Sequence, residues 1–314
     1  MRPVPYAYSS SHFETLIYSA YYAPRGRQRL YMLARDLSTR YLYPTDLLVG
    51  IIGSEGSGKS TLIKGLFPGL ELTNDDDGVN LRPTPIYDFD SSDFFAGHTF
   101  HIDARYELAF HQKYDICEAI SRIIMHGRRV VVEHFDLIQD GIGFNAHIIF
   151  GIGEEVIVAR PGIFGPWPAD IKRVVDKTIK YRLMSHSAED ITSYILEHEY
   201  NYTRKMLHSD VKHGFVIKFP YEPTIDISEL EDKVQKIIEK NVPISAAGED
   251  LLAIGDWRMY CTGTRTHVKS SGMIENFHMK KDFIYDALTR EYLLVGIVGK
   301  RETAGLEDIA YVQE

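Results

Sequence analysis

One segment of the sequence has residue types and a spacing that suit phosphate binding. Residues 53–60, GSEGSGKS, follow the pattern G-x4-G-K-[ST], and Thr61 comes directly after them. In this pattern glycines let backbone N–H groups face phosphate oxygens, the lysine reaches the β and γ phosphates, and the serine hydroxyl binds Mg²⁺. The alternative is a glycine-rich turn with no ligand. The residues that we predict to bind nucleotide are Gly53, Glu55, Gly56, Ser57, Gly58, Lys59, Ser60 and Thr61.

Nucleotide hydrolysis with magnesium also needs an acidic residue for the metal and a group that orients the nucleophile. Three segments could supply them, at residues 82–85, 101–106 and 130–136. In the third segment acids follow a hydrophobic strand, and a parallel sheet presents such residues to ligands at its carboxyl edge. Asp103, Glu133 and Asp136 are the candidates, and a solvated strand end is the alternative for each.

Residue types that bind metals also occur in the second half of the chain. His186 and Asp190 are four residues apart in a predicted helix, so they share a face. Cys261 and His267 follow much later, with five residues between them. Imidazole, thiolate and carboxylate groups all bind Zn²⁺, but a chain with 13 histidines also contains coincidental pairs.

The predicted phosphate loop needs a buried strand before it and a helix after it. Residues 47–52 are a continuous apolar run, which is typical of a strand buried on both faces of a parallel sheet. A helix is predicted to follow the loop and to end at Phe67. Further strands are predicted over 98–103 and 129–133, and further helices over 12–22, 26–41 and 104–126. This alternation predicts an α/β domain with a mainly parallel sheet.

The alternation of predicted strands and helices ends near residue 160. Residues 159–168 are rich in proline and glycine and form the predicted linker. Helices are predicted over 168–180, 187–208 and 227–240, with strands over 213–219, 252–255, 282–287 and 292–298. Because these helices and strands do not alternate strictly, they indicate an α+β domain. We therefore predict one domain over 1–160 and a second over 161–314.

The composition narrows the class of protein. Of the 314 residues 44% are hydrophobic and 25% charged, which excludes a disordered or fibrous chain. The net charge of −9 argues against bulk electrostatic capture of nucleic acid. Two cysteines cannot form a disulfide framework and suit a reducing compartment. Since we find no apolar run long enough for a signal peptide or a membrane span, we expect a cytoplasmic protein without a membrane partner.

Several short motifs accompany the loop at 53–61. They are Pro83-Thr84, His101-x-Asp103 followed by Arg105-Tyr106, and Val132-Glu133. With these motifs, residues 26–136 resemble the small P-loop ATPase of the bacterial tRNA threonylcarbamoyladenosine pathway. The resemblance implies that ATP is the ligand and that Ser60, Thr84 and Asp103 lie near Mg²⁺. It also implies that Glu133 polarises the attacking water or supports the metal, so that the catalytic residues are Lys59, Asp103 and Glu133.

A second set of motifs covers roughly residues 175–300. His186-x-Ala188-x-Asp190 is followed by Gly255-Asp256-Trp257, by Cys261 and by His267-Val268. These motifs are similar to the second additional domain of alanyl- and threonyl-tRNA synthetases, a zinc-binding editing domain. The resemblance implies a zinc ion held by His186, Asp190, Cys261 and His267, and deacylation of wrongly charged tRNA. Asp190 stands where that family has a second histidine, and the Cys261–His267 spacing is two residues longer.

Both resemblances point to tRNA. We expect a Mg·ATP-binding P-loop protein that hydrolyses ATP and acts on or senses tRNA through an editing-like second domain. One alternative is a phosphotransferase, such as a nucleoside or small-molecule kinase, with Asp103 or Glu133 as the base. Another is a nucleotide-gated RNA-binding module without catalysis. A basic stripe in helix 170–182 is the predicted contact for RNA phosphates, with a solvated helix face as its alternative; it contains Lys172, Arg173, Lys177, Lys180 and Arg182.

Overall fold

A computed structural model describes residues 16–72, 86–87, 98–202 and 208–300. The described part forms one six-stranded sheet and two antiparallel sheets, with helices packed against them. The first half of the chain contains β1 (Tyr18–Tyr22), α1 (Arg27–Tyr41), β2 (Leu48–Gly53), α2 (Lys59–Leu66), β3 (Thr99–Asp103), α3 (Ala104–Glu107), α4 (Lys113–Met125), β4 (Arg129–Glu133), α5 (Gln139–Ile142), β5 (Ile148–Ile152) and β6 (Glu155–Ala159). The remaining elements are α6 (Pro168–Glu199), β7 (His208–Val211), β8 (Gly214–Phe219), α7 (Ile227–Glu239), β9 (Ile244–Ala246), β10 (Leu251–Ile254), β11 (Trp257–Tyr260), β12 (His278–Met279), β13 (Ile284–Asp286) and β14 (Glu291–Ile297).

The six-stranded sheet has the order β1-β6-β5-β2-β4-β3. The strands β5, β2, β4 and β3 are parallel, and β6 and β1 continue the sheet in antiparallel pairings. Val130 and Val132 belong to the hydrophobic cluster that contains α4, whereas Val131 belongs to the cluster that contains α1 and α2. The apolar runs of β2 and β4 are therefore buried on both faces, as the sequence predicts.

The helix predicted over 12–22 is wrong for residues 18–22, which form the strand β1, and residues 12–15 of that prediction lie outside the described residues. Residues 18–22 pair with β6, with Tyr18 opposite Ala159 and Tyr22 opposite Glu155. Tyrosine packs well on a pleated surface, and pairing with a sheet edge satisfies backbone groups that a short isolated helix would have to satisfy alone.

Three other helix predictions have wrong boundaries. The single helix predicted over 104–126 is two helices, α3 and α4, and the two helices predicted over 168–180 and 187–208 are one continuous helix, α6. Helix α6 ends at Glu199, and residue 208 already belongs to β7, while residues 203–207 lie outside the described residues. Helix α6 is covered along its whole length, since Ile171 and Val175 belong to the cluster of the parallel sheet and Ala188 and Leu196 to that of the second half. Tertiary packing on both sides thus stabilises the residues between the two predicted helices.

Helix α6 approaches the parallel sheet at two glycines. A Cβ atom added at Gly151 in β5 would lie 2.5 Å from Ile171, and one added at Gly153 would lie 2.5 Å from Thr178. Only glycine allows α6 to pack this closely on the strand. The predicted linker ends where α6 begins, at Pro168.

The second half packs α7 and the later part of α6 on antiparallel strands. One sheet has the order β12-β14-β8-β7 with β13 also paired to β14, and the other has the order β11-β10-β9. Helix α7 begins where the Asp226 carboxylate accepts hydrogen bonds from the N–H groups of Ser228 and Glu229. Within the part of the chain that the structure describes, none of the helices has both the length and the apolar character needed to cross a bilayer.

Candidate functional site

The predicted phosphate loop joins β2 to α2 at the carboxyl edge of the parallel strands. Gly56 and Gly58 have φ values of +71° and +96°, which glycine adopts without steric cost. A Cβ atom added at Gly58 would also lie 2.7 Å from Leu30 of α1. Helix α2 begins at Lys59, so its positive end lies at the loop and favours an anion there.

Side chains from three elements meet beside the loop. Lys59 Nζ donates a hydrogen bond of 3.1 Å to the carbonyl oxygen of Ser54 and lies 3.9 Å from Glu133 Oε2. The other carboxylate oxygen of Glu133 lies 3.2 Å from His101 Nε2. Asp103 is paired with Glu133 in the β3–β4 register, so the two acids end neighbouring parallel strands. The structure thus brings together all three predicted catalytic residues.

The neighbours of Glu133 have perturbed ionisation. Burial, followed by the nearby Glu133 carboxylate, raises the pKa of Asp103. Burial, followed by the Lys59 charge, lowers the pKa of His134 to about 4, so this imidazole is neutral at neutral pH. Asp103, Glu133 and His134 each offer one potential ligand atom, and these three atoms lie within 4.8 Å of one another. Two carboxylates this close favour a bound cation, and carboxylate oxygens are ligands that Mg²⁺ prefers.

Residues from both halves of the chain enclose a cavity of about 870 Å³ beside the loop. The second half contributes Arg182 and residues 246–249 and 263–266. Gly53 and the fully buried Ser57 do not line the cavity, and Thr84 lies outside the described residues. From the first half, the predicted residues in its wall are Glu55, Gly56, Gly58, Lys59, Ser60, Thr61, Asp103 and Glu133.

Of the three predicted acids Asp103, Glu133 and Asp136, Asp136 does not line this cavity. Its Oδ2 lies 3.7 Å from Lys172 Nζ in α6. Lys172 also pairs with Asp176 at 3.2 Å, and Asp176 accepts a hydrogen bond of 2.7 Å from the Ser54 hydroxyl. Asp136 therefore belongs to the contacts between α6 and the base of the loop.

The four predicted zinc ligands converge in the second half. The ligand atoms of His186, Asp190, Cys261 and His267 all lie within 4.8 Å of one another, and their side chains are buried. Cys261 Sγ lies 3.6 Å from His186 Nε2, and Asp190 Oδ2 lies 3.1 Å from His267 Nε2 and 3.8 Å from His186 Nε2. Zinc bonds of 2.0–2.3 Å at tetrahedral angles imply ligand separations of about 3.3–3.6 Å. The residues present therefore fit a zinc ion.

Hydrogen bonds outside the cluster orient these ligands. His186 Nδ1 lies 2.7 Å from Thr266 Oγ1 and 3.1 Å from the carbonyl oxygen of Thr266. Because a carbonyl oxygen only accepts, a proton on Nδ1 satisfies that contact and leaves the Nε2 lone pair facing the cluster. His267 Nδ1 lies 3.3 Å from the carbonyl oxygen of Thr264 in the same way. The N–H of Gly263 donates a hydrogen bond of 3.3 Å to Cys261 Sγ. Burial, followed by the nearby His267, lowers the pKa of His186, so its neutral form is favoured.

The basic stripe in α6 is not one continuous surface. Arg182 is 2% exposed and donates hydrogen bonds to the carbonyl oxygens of Ser57 and Pro24. Lys172 pairs with two aspartates, and Lys180 lies over the ring of Tyr181. The prediction that all five cations contact RNA is therefore wrong for Arg182, because that residue faces the inside of the protein.

Sequence reasoning missed His134 and Arg265, which both lie in the wall of the cavity. The position of His134 directly after Glu133 was the signal that could have identified it. Sequence reasoning also misplaced Arg182, which contacts the loop 53–61 from a distant helix, and no sequence pattern marks that contact.

No protein-family model matches this chain, and no curated protein matches it. The two family resemblances therefore stay predictions.

Proposed function

We propose that this protein binds Mg·ATP at the loop 53–61 and transfers the γ-phosphoryl group to water. The observation that carries the proposal is the meeting of Lys59 with Glu133 and Asp103 at the carboxyl edge of a parallel sheet, beside a helix N-terminus. A phosphate-binding loop in this position offers an anion site, and the two carboxylates beside it offer a cation site.

Each residue then has a defined part. Lys59 contacts the β and γ phosphates, which would replace its present hydrogen bond to the Ser54 carbonyl oxygen. Ser60 and Asp103 would hold Mg²⁺, with Thr84 as a further ligand implied by the resemblance. The ion neutralises charge on the phosphate oxygens when it is bound. Glu133 orients the attacking water, and the contact with His101 Nε2 fixes the direction of its carboxylate.

We also propose a zinc ion at the cluster formed by His186, Asp190, Cys261 and His267. Four protein ligands without an open position are typical of structural zinc sites, whereas catalytic sites keep a position for water. The zinc ion therefore stabilises this half of the protein. Deacylation of tRNA would need one of the four ligands to leave. The sequence motifs are the basis for proposing tRNA as a partner. In that case the second half of the chain would bind tRNA without deacylating it.

One observation favours a phosphotransferase as the second candidate. The cavity beside Lys59 includes residues 246–249 and 263–266 from the other half of the chain, so an acceptor molecule has room next to the phosphates. Pockets of 300–1,000 Å³ hold typical small ligands. Asp103 or Glu133 would then accept the proton of an acceptor hydroxyl.

The test follows γ-labelled ATP with Mg²⁺, alone, with total tRNA, and with a mixture of nucleosides. We expect free labelled phosphate, formed faster with tRNA, and loss of both binding and turnover in Lys59→Ala. Lys236→Ala, an exposed lysine of α7, serves as the matched control. Unchanged binding and turnover in Lys59→Ala would overturn the proposal. Label on an organic acceptor would select the phosphotransferase, and binding without turnover would select a nucleotide-gated module.

A further inference from the structure

The segment between Cys261 and His267 lies directly against the phosphate loop. A Cβ atom added at Gly56 would lie 3.4 Å from the carbonyl oxygen of Arg265. Arg265 is exposed, and it lines the same cavity as Lys59. The second half of the chain therefore places an arginine in the wall of the predicted nucleotide site.

Several contacts hold the backbone of this segment, which we call the 262–266 segment. The carbonyl oxygen of Thr262 accepts a hydrogen bond of 3.3 Å from the N–H of Arg27. Thr266 Oγ1 lies 3.4 Å from the carbonyl oxygen of Arg25, and a Cβ atom added at Gly263 would overlap that same oxygen. Because the residues before and after the segment belong to the buried metal-ligand cluster, both of its ends are fixed.

The charge of the cavity differs from that of the whole chain. The chain carries a net charge of −9, whereas seven cationic and four acidic side chains line the cavity. Arg25 and Arg182 are buried and bound to protein groups, and Arg27 pairs with Glu249 and Asp250. The cationic residues in the wall are Arg25, Arg27, Lys59, Lys64, Arg105, Arg182 and Arg265. A local excess of positive charge in an acidic protein attracts an anion with several charges.

We propose that Arg265, which the 262–266 segment supplies, contacts the polyphosphate of the bound nucleotide. It would be a second cation at the phosphates, beside Lys59. An arginine presents a fork of N–H donors that matches two phosphate oxygens at once. The inference rests on the proposed function, since it requires a nucleotide at the loop 53–61. If Arg265 has this role, a complete phosphate site needs both halves of the chain.

The experiment measures equilibrium binding of Mg·ATP and of inorganic triphosphate with Mg²⁺ to the full-length protein. We expect Arg265→Ala to weaken both ligands about tenfold, which is the effect of one charge-assisted hydrogen bond at a partly exposed site. Arg265→Lys keeps the charge but not the fork of donors, so its affinity for both ligands should lie between that of the wild type and that of Arg265→Ala. Arg258→Ala is the matched control, because Arg258 is an exposed arginine of the same half that does not line the cavity.

The outcomes separate this inference from the proposed function. If the wild type binds neither ligand, the proposed function and this inference both fail. If Lys59→Ala weakens binding but Arg265→Ala does not, the proposed function stands and the role of Arg265 is overturned. A loss of affinity for ATP without a loss for triphosphate would place Arg265 on the nucleoside and overturn the phosphate contact. Equal melting temperatures for Arg265→Ala and wild type exclude misfolding as the cause of weaker binding.

Discussion

The guanidinium group of Arg182 donates a hydrogen bond of 2.7 Å to the carbonyl oxygen of Ser57 in the loop 53–61. Its other terminal nitrogen donates a hydrogen bond of 2.6 Å to the carbonyl oxygen of Pro24, just before α1. Burial lowers the pKa of Arg182 to about 10, so the group remains charged at neutral pH. His186, a member of the metal-ligand cluster, lies one turn later in the same helix. Helix α6 thus connects the loop 53–61 to that cluster.

Replacing Arg182 should affect both stability and nucleotide binding. In Arg182→Met two buried carbonyl oxygens lose a charged donor, so we expect a loss of about 2–4 kcal/mol in the free energy of unfolding. Mg·ATP should bind more weakly, because the loop at Ser57 loses its support. Urea unfolding and binding titrations measure the two effects. Arg173→Met, an exposed arginine of α6 paired with Asp170, should change stability by less than about 0.5 kcal/mol. Equal effects of the two variants would contradict this interpretation.

Replacing Glu133 should separate turnover from binding. Glu133→Gln keeps the shape of the side chain but removes the charge that orients the nucleophile, so we expect phosphate release to fall about 100-fold. Mg·ATP affinity should change much less, since Lys59 and the backbone of the loop remain. Single-turnover release of labelled phosphate and equilibrium binding are the two measurements. Glu118→Gln, on the exposed face of α4, is the control. Turnover at the wild-type rate in Glu133→Gln would remove Glu133 from the mechanism.

Removing Cys261 should remove the metal. We expect about one zinc ion per wild-type chain by elemental analysis, and a large loss in Cys261→Ala, because thiolate is the strongest zinc ligand of the four. Cys117→Ala, the other buried free cysteine, should retain its zinc. A chelator should lower the melting temperature of the wild type and of Cys117→Ala, and have little effect on Cys261→Ala. A wild type that neither contains zinc nor takes it up on reconstitution would rule out the site.

Glu154 should make the stability of the protein depend on pH. It is 5% exposed, and burial raises its pKa to about 8 in the folded protein from an ordinary value near 4.5. The charged and titratable groups around it are Arg25, Glu155, Lys212 and His213. Between these two pKa values the folded protein keeps a proton that the unfolded chain releases. The contribution of Glu154 is therefore fully present below pH 4.5 and is lost as the pH rises towards 8, by at most about 1.4 kcal/mol per pH unit.

The variant Glu154→Gln tests this dependence. Glutamine can still accept the hydrogen bond from the N–H of His213 but does not titrate. We expect its free energy of unfolding to decline less than that of the wild type between pH 5 and pH 8. Urea unfolding at several pH values measures both slopes, with Glu118→Gln as a control that keeps the wild-type slope. Parallel curves for wild type and Glu154→Gln would show that Glu154 is ionised in the folded protein.

Local signals in the sequence specify the elements around the loop 53–61. The apolar runs of β2 and β4 and the glycine pattern between β2 and α2 are local signals, because a strand buried on both faces and a turn with positive φ each require particular residue types at fixed positions. The types of the metal ligands were visible in the same way, since His186, Asp190, Cys261 and His267 are chemically suited to zinc whatever the fold.

Which of these residues come together depends on the tertiary packing. His186 and Cys261 are 75 positions apart, and the packing of the second half places them 3.6 Å apart. Residues 18–22 form a strand because β6 offers an edge, and α6 is continuous because two hydrophobic clusters cover its length. Arg182 reads as a surface cation in the sequence, yet it is buried against Ser57. Contacts between residues distant in the chain depend on the global packing. Composition and local periodicity do not show them, and the sequence implied the convergence of His186 with Cys261 only through the resemblance of its motifs to a known family.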